Sequence, residues 1–146
     1  MAQGQRVDPY RNFKFRVEID GLTVAGFSEC DIPAATVEVI EYREGSEEVT
    51  PRKLPGLVKY SNITLKRGVT NTKEFFQWFR LVVQGKISQA RRNMSIALLD
   101  DEGNEVARWK FRNAWPTKYE GPKLNARTSE VAIETLEITH EGLDLE

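Results

Sequence analysis

Cysteine and histidine are almost missing from this 146-residue chain: Cys30 and His140 are the single examples of each. One cysteine cannot close an internal disulfide, and it excludes paired-cysteine metal and redox motifs. One histidine, next to Glu141-Gly142 and far in sequence from the cysteine, supplies neither a metal set nor a general base aimed at a defined nucleophile. It reads as a structural or surface residue. Charge of one sign is missing too. Lys and Arg total 21 against 22 Asp and Glu, so the composition carries no electrostatic footprint for nucleic acid or an acidic membrane. Apolar runs fall far short of the ~20 residues that span a bilayer. The opening Met1-Ala2-Gln3-Gly4-Gln5-Arg6 lacks the apolar core of a secretory signal, so synthesis and folding in the bacterial cytoplasm are expected. Linkers, low-complexity stretches and evident repeats are absent as well, and the length predicts a single domain over residues 1–146.

What is present is alternation. Phe13, Phe15, Val17 and Ile19 alternate with Lys14, Arg16 and Glu18, the period of a strand with one dry face. Asp20-Gly21 is a tight-turn pair, because glycine reaches positive φ without a Cβ clash, and Leu22 to Phe27 is the expected return strand. A third strand is expected from about Val37 to Arg43. Ile63 and Leu65 restore alternation up to Gly68. Asn71 with Glu74 three residues on forms a capping-box pattern, and Phe75, Trp78 or Phe79, and Val82 recur at helical spacing. With Gly85 as the stop, this predicts one substantial helix over about 72–84.

Met94, Ile96 and Leu98 alternate again, and Asp101-Glu102-Gly103-Asn104 turns the chain into a strand over Glu105 to Phe111. Trp115-Pro116 bends the chain, and Val131 to His140 reads as the last strand. Its apolar phase shifts between Ile133 and Leu136, which implies a bulge or a strand covered on both faces. The total is mainly β: an antiparallel β-sandwich or barrel of about seven or eight strands with one α-helix.

No catalytic, cofactor or metal constellation emerges. Asp100, Asp101 and Glu102 precede Gly103-Asn104 without the spacing of a calcium loop and read as a hairpin turn. Cys30 follows Glu29, whose charge raises a thiol pKa, and reads as a packing residue. The aromatics of the helix have the spacing of core residues, where a nucleic-acid platform would set them in a basic groove. Lys66-Arg67-Gly68 lacks the glycines of a phosphate loop and reads as solvated strand-end charge. Arg108, Lys110 and Arg112 share one strand face opposite acidic positions such as Glu18, Glu134 and Glu137. They describe equally well a wet face with ion pairs and the wall of a charged channel.

The stretch from Glu44 to about residue 58 is punctuated by Gly45, Pro51, Pro55 and Gly56 and mixes Glu47 and Glu48 with Arg52 and Lys53, so a long surface loop is expected. In a domain this small such a loop has a contact role. The order Tyr42-Arg43-Glu44-Gly45, Lys53-Leu54-Pro55-Gly56 and Ile63-Thr64-Leu65-Lys66-Arg67-Gly68, followed by an aromatic helix with Trp78, resembles the tail tube proteins of contractile phages and phage-derived injection systems, similar to the Hcp-type tube fold. Asp8-Pro9-Tyr10-Arg11-Asn12-Phe13, Ala25-Gly26-Phe27-Ser28-Glu29 and the closing Glu134-Thr135-Leu136-Glu137-Ile138-Thr139-His140-Glu141-Gly142 agree with it. The resemblance spans nearly the whole chain.

It implies a structural subunit and no enzyme. Hexameric rings whose strands join into one continuous barrel stack into a hollow tube, which sheath contraction drives through a target envelope. The implied partners are the protein itself, a sheath protein, a baseplate hub and spike, a tape-measure protein, a terminator cap, and luminal cargo, either protein effector or DNA. Glu44, Gly45, Arg52, Lys53, Leu54, Pro55 and Gly56 are the expected inter-ring contact. A monomeric β-barrel that binds a ligand is the alternative, and it requires an enclosed apolar cavity with a few convergent polar groups.

Overall fold

The computed structural model describes residues 14–20, 27–43, 45, 50–69, 73–127 and 131–146. In chain order these form β1 (Lys14–Ile19), β2 (Phe27–Asp31), β3 (Ala35–Tyr42), β4 (Arg52–Tyr60), β5 (Ile63–Gly68), α1 (Glu74–Val83), α2 (Ile87–Ala90), β6 (Arg92–Leu99), β7 (Glu105–Glu120), β8 (Ile133–Thr139) and β9 (Gly142–Leu145). Seven strands make one sheet in the order β1-β6-β7-β8-β5-β2 with β9 also on β7, and β3 and β4 pair only with each other. Every pairing is antiparallel. The mainly-β antiparallel expectation therefore holds, with nine strands among the described residues and a four-residue second helix.

The 16-residue β7 organises the sheet, since its first part pairs with β6 and β9 and its last part with β8. The sequence places a bend at Trp115-Pro116; the irregularity starts earlier, where Arg112 and Asn113 together oppose Asn93. Asn113 takes a left-handed conformation (φ 49°), which asparagine tolerates better than most residues. Its side-chain amide donates to Glu141 Oε2 at 2.7 Å. Between the two parts of the sheet lies the core. Val17, Ile19, Met94, Ile96 and Phe111 meet Ile63, Leu65, Leu136 and Ile138, with Phe75 and Trp78 of α1 closing over them. Trp78 is anchored by its indole N–H, which donates to the Ala90 carbonyl at 2.6 Å.

Several local expectations are changed. The long loop is half strand: Arg52 to Tyr60 forms β4, a ribbon with β3. Pro55 is tolerated because this ribbon has free edges that do not need its missing N–H. Gly56 fits closely, since a Cβ there would sit 3.1 Å from the Ile40 side chain, which would have to shift by a few tenths of an ångström. The helix begins at Glu74, with Lys73 ahead of it in a left-handed conformation and making no side-chain cap bond. Asn71, the expected cap, lies outside the described residues, as do Phe13, Gly21 and the return strand up to residue 26. Phe27 opens β2, which pairs with β5. Finally, of the two expectations for the last strand the bulge is absent against β5, whereas cover on both faces agrees with a β8 in which no residue is exposed. Its inward positions are Glu134, Leu136 and Ile138, so the apparent phase shift is a buried glutamate where an apolar residue is the usual occupant.

The helix stop and the hairpin are as expected. Lys86 N–H donates to the Leu81 carbonyl and Gly85 N–H to that of Val82, a Schellman ending with Gly85 at φ 78°. Asp100 Oδ1 accepts from the N–H groups of Glu102 and Asn104 at 3.0 and 2.8 Å, closing a turn with Gly103 at φ 86°.

Candidate assembly surfaces

One face of the four strands β1, β6, β7 and β9 is charged. Along it Arg16 pairs across to Ala97 and Arg108, and Glu18 to Ser95, Lys110 and Asp144. Ala97 is buried and Ser95 nearly so, because the long side chains beside them lie over the sheet with their stems down. Arg108 is the hub. Its Nε donates to Glu105 Oε1 at 2.6 Å, and its Nη1 donates to Glu18 Oε2 at 2.8 Å and to Ser95 Oγ at 2.6 Å. Arg16 Nε bonds Glu18 at 2.9 Å, and Lys110 Nζ bonds Glu146 at 2.8 Å. The hydrogen bonds from Arg108, and then its charge, hold the Glu18 and Glu105 carboxyls below their ordinary value. Glu105 and then Glu18 raise the Arg108 guanidinium in turn. Of the three acidic positions singled out in the sequence only Glu18 meets this face; Glu137 accepts from Asn62 at 2.9 Å and Glu134 turns inward.

The second surface is the β3–β4 ribbon. Glu44 lies outside the described residues, Gly45 occupies its turn at φ 54°, and Arg52, Lys53, Leu54, Pro55 and Gly56 stand in β4. The register sets Leu54 opposite Ile40, Pro55 opposite Val39 and Val58 opposite Val37. These side chains are uncovered. Val39 is 58% and Leu57 70% exposed, and every residue of β3 is exposed. Sequence reasoning named Leu54, Pro55 and Gly56 and set Leu57 and Val58 in the same contact stretch, but missed Val37, Val39 and Ile40 as parts of the same surface. The β-branched residues alternating with Glu38 and Glu41 were the available signal.

The ribbon's root is fixed. Ser61 N–H donates to the Ala34 carbonyl at 2.9 Å, Ala34 N–H donates to Ser61 Oγ at 2.7 Å, and His140 Nε2 lies 3.0 Å from the Ser61 carbonyl. His140 is buried with its ring edge-on to Phe111 at 5.1 Å between centroids. It is a structural histidine.

The buried polar centre of the molecule was not legible. Arg67, read from the sequence as solvated, is 2% exposed. Its Nε donates to Glu134 Oε1 at 3.0 Å, its guanidinium lies 4.1 Å from the Phe75 ring centre, and Glu74 Oε2 is 3.6 Å from its Nη1. Tyr119 Oη donates to the other Glu134 oxygen at 2.9 Å, and burial, then Glu134, raises the Tyr119 pKa. This knot joins β5, β7, β8 and α1. Lys66 is half-buried, with its Nζ 3.7 Å from Glu29. Cys30 lies partly buried against the core, its thiol pushed up to about 11 by burial and by Asp31 and Glu29.

An antiparallel sheet with one charged face, a fixed polar knot and a protruding apolar ribbon defines a protein built for assembly. The chain belongs to the T4-like virus tail tube protein gp19 family, whose profile matches residues 11–144. It is a structural tube subunit. Among solved structures it is similar to a chain of the sheath-tube complex of PVC, an extracellular contractile injection system, in the extended state. That pair is 25% identical with a TM-score of 0.79 over 94% of this chain and 91% of that one. It is also similar to a chain of the anti-feeding prophage tube-terminating cap (23% identical, TM-score 0.79, 100% and 99% covered) and to Hcp1 from Flavobacterium johnsoniae (14%, 0.53, 90% and 93%). The last two likenesses are of fold. No curated protein matches the sequence.

Proposed function

We propose that this chain is a single non-enzymatic domain that forms hexameric rings, that the rings stack into the inner tube of a phage tail or extracellular phage-like particle, and that the ribbon contacts the neighbouring ring. The observation that carries this is the ribbon itself. A two-stranded hairpin is marginal in water on its own, and here its apolar side chains have no cover. A family whose members build tubes supplies the cover from another copy. The four strands β1-β6-β7-β9 are antiparallel and even in number, so copies set side by side continue the alternation without reversing polarity. Their charged face is the wall that stays wet, which makes it the lumen lining. Ring-on-ring contact is heterologous and does not close, so it propagates as a filament.

A sheath outside, a baseplate hub and spike at one end, a terminator cap at the other and a tape-measure protein inside are the partners of this role. Its support is that the similar solved chains come from sheath-tube, baseplate and cap structures. The lumen passes cargo, protein effector or DNA. Electron microscopy of the purified protein, with light scattering on the same sample, tests the reading. Rings or stacked tubes with a central hole are expected; a species that stays monomeric at high concentration, even with a nucleating baseplate, overturns it and returns the ligand-binding barrel.

A further inference from the structure

The ribbon needs a receiving surface, and the chain carries one. Phe15, Ile96, Leu98 and Trp109 of the dry sheet face and Cys30 and Ile32 at the end of β2 line an open, almost wholly apolar groove of about 260 Å³. Ile32 on the groove and Leu145, paired with Trp109 on β9, are exposed, so the apolar surface continues outward past the groove. β3 and β4 make their main contacts with each other, so the chain's own ribbon does not fill it. Exposed apolar area of this kind marks a site of association.

We infer that the groove under β2 is occupied by the β3–β4 ribbon of a second copy of this chain, with Leu57 as the side chain that enters it. The inference rests on the tube-subunit reading and names the receiving surface that reading leaves open. Leu57 is the most exposed large apolar side chain of the ribbon. It sits where Gly56 and Leu57 fall opposite Glu38 alone, a bulge that pushes the strand outward. Charge agrees. Asp31, beside Cys30, has no cation partner among the described residues, and Arg52, Lys53 and Lys59 of β4 have no carboxylate partner among them. An acidic β2 rim facing a basic β4 fixes which strand of the ribbon approaches. Each copy offers one ribbon and one groove at different places on its surface, so docking runs head to tail and does not end at a dimer.

Cys30 makes this testable, because it is the only native thiol. Full-length Leu57→Cys, assembled and then oxidised with copper-phenanthroline at mildly alkaline pH, is expected to give a ladder of covalent multimers on a denaturing gel. The same substitution with Cys30→Ser is expected to lose the ladder. Leu54→Cys, at the neighbouring exposed position, is the second variant. Tubes that form while neither variant crosslinks to Cys30 overturn the docking, leave the tube reading intact, and assign the groove to a different protein. A native chain that stays monomeric even with a nucleating baseplate overturns both. A readout without thiols is Leu57→Asp: ring stacking is expected to be lost with subunit unfolding unchanged, and stacks that persist overturn the inference.

Discussion

Arg67 shows how far one side chain can depart from the reading of its neighbours. In sequence it is the middle of a lysine-arginine-glycine strand end; in the structure it is sealed between β8, α1 and a phenyl ring. A buried pair is strongly destabilised by losing one partner, because the other charge is left uncompensated. Arg67→Met is expected to cost about 3–5 kcal/mol in denaturant unfolding. Arg67→Met with Glu134→Leu is expected to cost clearly less than the sum of the single changes, and additive losses would show that the two do not act as a pair. Cys30 is a milder case, where local sequence pointed the right way and the fold supplied more. Its acidic neighbour Glu29 pointed to a raised thiol pKa, and burial, the largest cause, and Asp31 add to it. Moving from 9.0 to about 11 lowers the thiolate fraction at neutral pH by roughly 100-fold. Maleimide labelling of dispersed subunits should slow accordingly relative to the unfolded chain, and equal rates would refute the burial.

Elements were legible where a repeating pattern reached water on one side. β1, β5, the helix and the hairpin at Asp100 were read correctly for that reason, and α1 ends where Gly85 said it would. Gly85→Ala places a Cβ at φ 78° and is expected to cost about 1 kcal/mol in thermal unfolding. β4 was hidden because Pro55 and Gly56 are strand breakers in any sheet that pairs on both edges, and this ribbon does not. The link between β1 and β7 through Arg108 is pH-sensitive. Glu18 and Glu105 have folded values below their ordinary 4.5. Their contribution is present above that value and is lost as pH falls below it through the folded values. The melting temperature of the native chain is therefore expected to drop more steeply in that acidic window than that of Glu18→Gln with Glu105→Gln, and parallel curves would remove the link. Above the carboxylate range the native chain is expected to melt slightly higher than the double variant, and the two curves should converge at the acid end of the window.

For the whole molecule, body and ribbon are separable. The body holds the core and the polar knot, whereas the ribbon holds the longest run of uncovered apolar side chains among the described residues. Leu54→Asp with Val39→Asp is therefore expected to leave subunit unfolding within about 1 kcal/mol of the native protein and to abolish tubes seen by electron microscopy. A variant that melts much earlier would show that the ribbon packs on its own chain.

The chain's pattern alone carried the class: an antiparallel β protein with one amphipathic helix, no paired cysteines or histidines, and a segment between β3 and β5 set aside for contact. These follow from spacing and residue type, which are local properties. Tertiary structure decided the rest. It placed Glu134 inward to meet Arg67, 67 residues earlier in the chain, sent Arg108 to Glu18 while leaving Glu137 to Asn62, and paired Arg52 to Tyr60 with β3. Each of these depends on which strands become neighbours. A charge read in isolation is solvated by default, and only the sheet order shows which one has a partner waiting inside.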